Sequence, residues 1–396
     1  MDGKSWWTDV ETFLAERDID ELAESKITFT THCSFSSDFI DRCHSFDLRC
    51  FPYVTFYVGS DNATWNNTTF NVYEGVDFGK HKFYEIDASG SPKPSPFGSS
   101  TGDGVGIVLD PCFITCPNVL DYQNKMVEWV ELIMKRGADG VFVDNLFTRE
   151  PCFGARLGIH PHTFPDPANA ADPSAQNQAF AALLKRVREV VKKYKPEGRI
   201  LGNSGNPLNV PPEFQEYIDS DMLEGYVCLS GERVPDWHGV TWDVAGRELQ
   251  AYLARKKQIL VISQIALNLP SQIAEDTFLC YARARLAGFI WTSNVPTTAS
   301  NSVRNLFSLR LGEPLTEEQT DSASGIDYRV FSRGLVAVNP DTANDKVLTV
   351  QPPIMGNTFV DVFSNDTTSV LAVPKYSGRV FLFGASVDFG QGILTP

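Results

Sequence analysis

The chain has 396 residues and a net charge of −15, with 42% hydrophobic and 21% charged residues. That composition is ordinary for a soluble globular protein, and the length is enough to bury a large core. An acidic balance excludes a general nucleic-acid binder, which needs cations to displace phosphate counterions. No apolar run approaches the roughly 20 residues that span a bilayer, so neither nucleic acid nor membrane is an expected partner.

The N-terminus, Met1-Asp2-Gly3-Lys4, opens a polar segment with no apolar signal core. If Met1 is the native start, the expected compartment is the cytoplasm. Sequons at Asn62, Asn66, Asn67 and Asn365 and an even count of eight cysteines lean instead toward a secreted protein. Cys33, Cys43, Cys50, Cys112, Cys116 and Cys152 crowd the N-terminal part, without the paired CxxC units of a zinc ribbon. Cys112 and Cys116, four apart, read as a tight disulfide or as two free thiols.

In chain order, residues 1–25 predict a helix with a Thr8/Glu11 capping box. Ile27–His32 predicts a first strand, a helical stretch follows through Phe39 and Cys43, and Leu48–Val58 predicts a second strand. Residues 60–103 form a long Asn-, Gly- and Pro-rich excursion with a hairpin expected around 70–76 and 82–86. Strands are then expected at Val105–Asp110, Gly140–Asp144, Arg199–Asn203, Asp221–Tyr226, Gln258–Gln264 and Gly288–Thr292. Helices are expected at 119–135, 179–194, 211–218, 243–255 and 271–287, with a long loop at 146–174.

These eight strands read as near-continuous apolar runs, the pattern of parallel strands buried on both faces. A nucleotide-binding open sheet would carry a glycine-rich turn after its first strand, and none is present. Eight βα units predict an α/β fold, a (β/α)8 TIM barrel over residues 1–315, N-terminal helix included. Beyond about residue 315 the helical pattern stops. Short strands at 328–331, 334–338, 346–350, 358–362 and 378–382 predict a C-terminal antiparallel β-sandwich over residues 316–396.

A barrel places its site at the C-terminal ends of its strands. The polar residues there are His32, Tyr57, Asp110, Asp144, Asn203, Glu224, Gln264 and Trp291. Two facing carboxyl groups suit glycoside cleavage, one protonated to donate to the leaving oxygen and one ionised. Asp144 and Glu224 are the candidate pair, with Asp110 in reserve. His32, Tyr57, Asp110, Asn203 and Gln264 are candidate readers of sugar hydroxyls. Trp237, Trp242 and Trp291 are candidate stacking platforms, and Phe147 and Phe153 follow the fourth strand.

The segment Lys135-Arg136-Gly137-Ala138-Asp139-Gly140-Val141-Phe142-Val143-Asp144-Asn145 resembles the helix-to-fourth-strand motif of barrel glycoside hydrolases. Together with Met222-Leu223-Glu224-Gly225-Tyr226, it is most similar to the endo-α-1,4-polygalactosaminidases and related glycosyl hydrolase-like barrels. The β domain is similar to the appendage of many α-glycosidase barrels. The resemblance implies that Asp144 is the nucleophile and Glu224 the general acid/base, in a retaining glycosidase acting on an oligo- or polysaccharide. The insert at 60–103 departs from that group and leaves the substrate open, as does the sequence for the oligomeric state.

His160-Pro161-His162 sits in a Pro-rich loop rather than on a first strand, so it reads as a surface loop or substrate rim. No metal and no cofactor is expected. Serine chemistry lacks a Gly-X-Ser-X-Gly elbow, and Cys33 and Cys112 read as buried structural thiols. The competing readings are a non-catalytic carbohydrate-binding barrel, or a lyase or transglycosylase on the same frame.

Overall fold

The structure is a computed structural model. It describes residues 29–31, 37–60, 63–65, 68–70, 83–95, 107–109, 112–234, 236–237, 240–241, 258–349 and 358–384, apart from 46, 230, 235, 294, 296–298 and 308. The expected N-terminal helix, the 243–255 helix, and candidates His32, Asp110 and Trp242 lie outside the described residues. The described residues divide into two compact units, one running to Met222 and the other from Leu223 onward.

In the first unit, Phe29–Thr31 pairs in parallel with Arg49–Phe51. Pro52, which has no N–H to donate, interrupts the run, and the chain resumes as Tyr53–Thr55, parallel to Gly140–Asp144. Gly140–Asp144 pairs in parallel with Arg199–Gly205, and residues 220–222, the part of the strand Ser220–Glu224 that lies in this unit, come next in the sheet. All five residues of Gly140–Asp144 are buried, as a doubly covered strand requires. The helices Leu120–Lys135 and Ser174–Tyr194 bury Met126, Val130 and Ile133 in the one and Phe180, Leu184, Val187 and Val191 in the other. Their three- and four-residue spacing marks one apolar face on each.

The third expected strand departs from the barrel pattern. Ile107–Leu109 runs antiparallel to Ala63–Trp65, which in turn pairs with Thr68–Phe70. The excursion thus captures this strand into its own three-stranded sheet. An apolar run alone does not distinguish a parallel strand from the edge of a hairpin. The expected hairpin at 70–76 and 82–86 falls mostly outside the described residues, and the hairpin that is described is 63–70. Cys112–Ile114 pairs antiparallel with Val58–Ser60.

In the second unit, Gln258–Ser263 and Ile290–Ser293 are parallel, joined through the helix Pro270–Ala287, which Gly288 ends at φ 78. The C-terminal strands form an antiparallel sheet in the order 319–320, 327–331, 334–339, 377–383, 359–361 and 366–368. One face, with Tyr328, Leu335, Ala337 and Phe381, packs with Leu348, Leu371 and Val373 of a two-stranded sheet. The other face, with Val336, Val338, Val380 and Leu382, shares a core with Phe278, Leu279, Ala282 and Leu286 of the 270–287 helix. The expected sandwich is therefore partial: a small sheet covers one face, and a helix occupies the other. Gly378 permits that approach, since a Cβ there would lie 2.6 Å from the Phe278 carbonyl oxygen. Among the described residues no helix is long and apolar enough to cross a membrane.

Candidate active site around Asp144

Asp144 ends its strand at 3% exposure. Both carboxylate oxygens accept hydrogen bonds from neutral donors. The Tyr53 hydroxyl donates to Oδ2 at 2.7 Å, the Asn145 amide to Oδ2 at 3.0 Å, and the Asn203 amide to Oδ1 at 2.7 Å. Both oxygens of the carboxyl group thus serve as acceptors. The register sets this up. Tyr53 pairs with Phe142, two residues before Asp144, so a phenol two positions back on the adjacent strand reaches forward to it. Its ring stacks on Phe142 at 6.3 Å. Asn145 turns the chain at φ 61, a left-handed conformation that Asn tolerates better than most residues.

Of the residues expected at the strand ends, the structure brings Asn203 onto Asp144. Tyr57 follows the strand that ends at Thr55 and is buried, with the Arg149 guanidinium 4.5 Å above its ring and Phe147 edge-on at 5.7 Å. Glu224 ends the strand Ser220–Glu224, half-buried, and Gly225 turns the chain at φ 72. It belongs to the second unit. There Gln264 is half-buried, its backbone N–H donating to the Cys228 carbonyl at 2.9 Å. Trp291 stacks on Phe307 at 5.5 Å and donates from its indole to Ser263 Oγ at 3.1 Å. Trp237 is described through its backbone alone, in a strand pair with Val240–Thr241. Tyr53 and Asn145 are the site residues that the strand-end rule missed. Asn145 stood in the quoted motif, whereas Tyr53 needed the register.

Among the described residues, Glu85 and Asp221 are further carboxyl groups that are fully buried. Glu85 lies 3.4 Å from the buried Arg149 guanidinium and 3.6 Å from Lys93. Burial nonetheless pushes its carboxyl up to about 7, with the two cations opposing. Asp221 accepts from the Ser204 N–H at 3.0 Å, the Ser204 hydroxyl at 2.8 Å and the Met222 N–H at 2.9 Å. Burial outweighs these donors and raises it to about 7.

The loop carrying His160-Pro161-His162 lies at the surface, with Pro161 exposed, but its two imidazoles turn inward. His160 is 6% exposed and the His162 side chain 2%. Both lie beside Cys116 and Cys152, which are buried free thiols. The Cys112 side chain lies outside the described residues.

The sequence matches no protein-family model, and a comparison with curated proteins found no match. Solved structures do share the fold. A noncanonic maltogenic α-amylase of Thermotoga neapolitana aligns with a TM-score of 0.53 at 10% identity, over 96% of this chain and 95% of that one. An Anoxybacillus α-amylase described as a new glycosyl hydrolase subclass aligns at 0.50 and 10% identity, over 93% and 89%. The likeness shows the fold: mixed α/β with a parallel sheet, consistent with the barrel of these glycoside hydrolases.

Proposed function

We propose that the chain is a glycoside hydrolase acting on an oligo- or polysaccharide, with Asp144 as nucleophile and Glu224 as general acid/base of a retaining mechanism. The observation that carries this is the Asp144 carboxylate, which sits at the C-terminal end of a parallel strand and is held in one orientation by Tyr53, Asn145 and Asn203. Catalytic groups of barrel enzymes occupy that position. A half-buried carboxyl such as Glu224 suits the acid/base role, which requires proton exchange with water. Retention further requires the two carboxyl groups to flank a sugar at about 5–5.5 Å.

The test is turnover on a panel of aryl glycosides and natural oligosaccharides, with the product anomer followed by NMR. Asp144→Asn and Glu224→Gln should each remove most turnover while the circular dichroism spectrum stays unchanged. Full activity in both variants removes the assignment. A second reading has one observation in its favour: Asp144 is almost wholly buried and both its oxygens are occupied, as in a structural carboxylate. On that reading the frame binds carbohydrate without cutting it. Saturable oligosaccharide binding with no turnover across the panel would select it.

A further inference from the structure

The loop between the Asp144 strand and the helix Ser174–Tyr194 has no strand or helix of its own over residues 146–173. Loops of that length inside a compact domain need a reason to hold their shape. This one carries Cys152, His160 and His162. All three meet Cys116, which follows the strand Cys112–Ile114 after one residue.

Each of the four side chains offers one ligand atom, and these atoms all lie within 4.8 Å of one another. Cys116 Sγ is 3.6 Å from His162 Nε2, and Cys152 Sγ is 3.7 Å from His160 Nε2. A tetrahedral ion with metal–sulfur bonds of 2.3 Å and metal–nitrogen bonds of 2.0–2.1 Å has sulfur–nitrogen edges of about 3.6 Å. The Cys116–His162 separation fits such an edge, while His160 Nε2 also meets the Tyr84 carbonyl and leaves Nδ1 as that ring's free ligand atom.

The surroundings also fit. His162 Nδ1 is bonded to Asp166 Oδ1 at 2.5 Å, which directs the Nε2 lone pair toward Cys116. A carboxylate behind the ring is the usual outer partner of a metal-binding histidine. The Ile86 and Gly154 N–H groups donate to Cys152 Sγ at 3.3 and 3.4 Å, as suits a thiolate. His160 supplies an independent observation. Its Nε2 meets the Tyr84 carbonyl at 3.1 Å, so that nitrogen carries the proton. Its Nδ1 is buried without any partner. A neutral imidazole then keeps a buried, unsatisfied lone pair, which a cation taken up by the ring would remove. Gly154 is required beside this ring, because a Cβ there would stand 2.2 Å from His160 Cε1.

We propose that Cys116, Cys152, His160 and His162 form a structural site for a zinc-class divalent cation, which clips the 146–173 loop to the chain at Cys116. Two thiolates and two imidazoles in a tetrahedral set select zinc over hard cations such as magnesium or calcium. Four protein ligands leave no open position, so the ion's role is to hold the loop. Cys116, His162 and Asp166 also stand in the order of a nucleophile, a base and an orienting carboxylate. Cys116 is fully buried, however, and the adjoining cavity lined by Cys152, Arg156, Asp166 and Gln176 measures about 10 Å³, room for one water. That leaves no space for a substrate.

The full chain, purified without chelators under reducing conditions, should contain one equivalent of zinc by mass spectrometry of the metal. Stripped with chelator and titrated with cobalt, it should develop the visible bands of tetrahedral cobalt and a near-ultraviolet thiolate band, saturating at one equivalent. Cys152→Ser and His162→Ala should each abolish both signals. If those variants do not fold, the cobalt titration of the unaltered chain still decides the question. A folded chain that takes up neither metal, or that holds Cys116 and Cys152 as a disulfide whether or not metal is supplied, overturns the proposal. Neither outcome bears on glycosidase turnover.

Discussion

Asn203 donates from Nδ2 to Asp144 Oδ1 at 2.7 Å, between neighbouring parallel strands, while its own Oδ1 accepts from the Gly205 N–H at 2.9 Å. The second bond fixes which end of the amide faces the carboxylate. Asn203→Ala removes a donor from a buried carboxylate and should cost about 1–3 kcal/mol of stability by urea unfolding. If Asp144 is the nucleophile, kcat should fall more than KM rises. Asn203→Asp, which sets a second carboxyl against the first, should be worse on both measures.

Tyr53→Phe is a narrower change. It keeps the ring on Phe142 and deletes the hydroxyl that Asp144 Oδ2 accepts from. The expected loss is about 1 kcal/mol in unfolding free energy, with reduced turnover. A variant as active and as stable as the parent would show that the phenol contributes packing alone.

Asp221 predicts a pH dependence. Its carboxyl titrates near 7 in the folded chain and near 4 when unfolded. Between those values the folded state holds a proton that the unfolded state has released. Stability therefore falls as pH rises from about 4 to 7 and levels off above. The amplitude is on the order of a few kcal/mol. Asp221→Asn keeps a neutral acceptor for the Ser204 and Met222 N–H groups, so its stability relative to the parent should improve steadily from pH 4 to 7. A constant difference across that range would contradict the burial argument.

Gly378→Ala tests the packing of the C-terminal sheet on the 270–287 helix. The added methyl would meet the Phe278 carbonyl oxygen at 2.6 Å and Ala282 Cβ at 2.8 Å. Neither can move without shifting helix backbone, so about 1–3 kcal/mol should be lost in thermal or denaturant unfolding.

The sequence carried some of this plainly. Gly140–Asp144 is an unbroken apolar run ending in a carboxylate, and the structure gives it those same bounds. Asn203 was legible for the same reason. Tyr53 was not, because its role depends on where Pro52 breaks the strand and on the pairing of Tyr53 with Phe142. The Val105–Asp110 run misled because its partner, Ala63–Trp65, lies in a segment with no periodic signal. The thiol and imidazole cluster was hidden by distance along the chain. Metal motifs are recognised by short spacings, and Cys116 stands far from His160 and His162.

The shared core between the 270–287 helix and the 377–383 strand sets a limit on dissection. Phe278, Leu279 and Ala282 have Val380 and Leu382 as packing partners, all in one unit. Expressing residues 1–315 alone would strip that helix of its cover and leave an oily stripe facing solvent. Such a fragment should collect in inclusion bodies, and supplying 316–396 as a separate polypeptide should return it to solution.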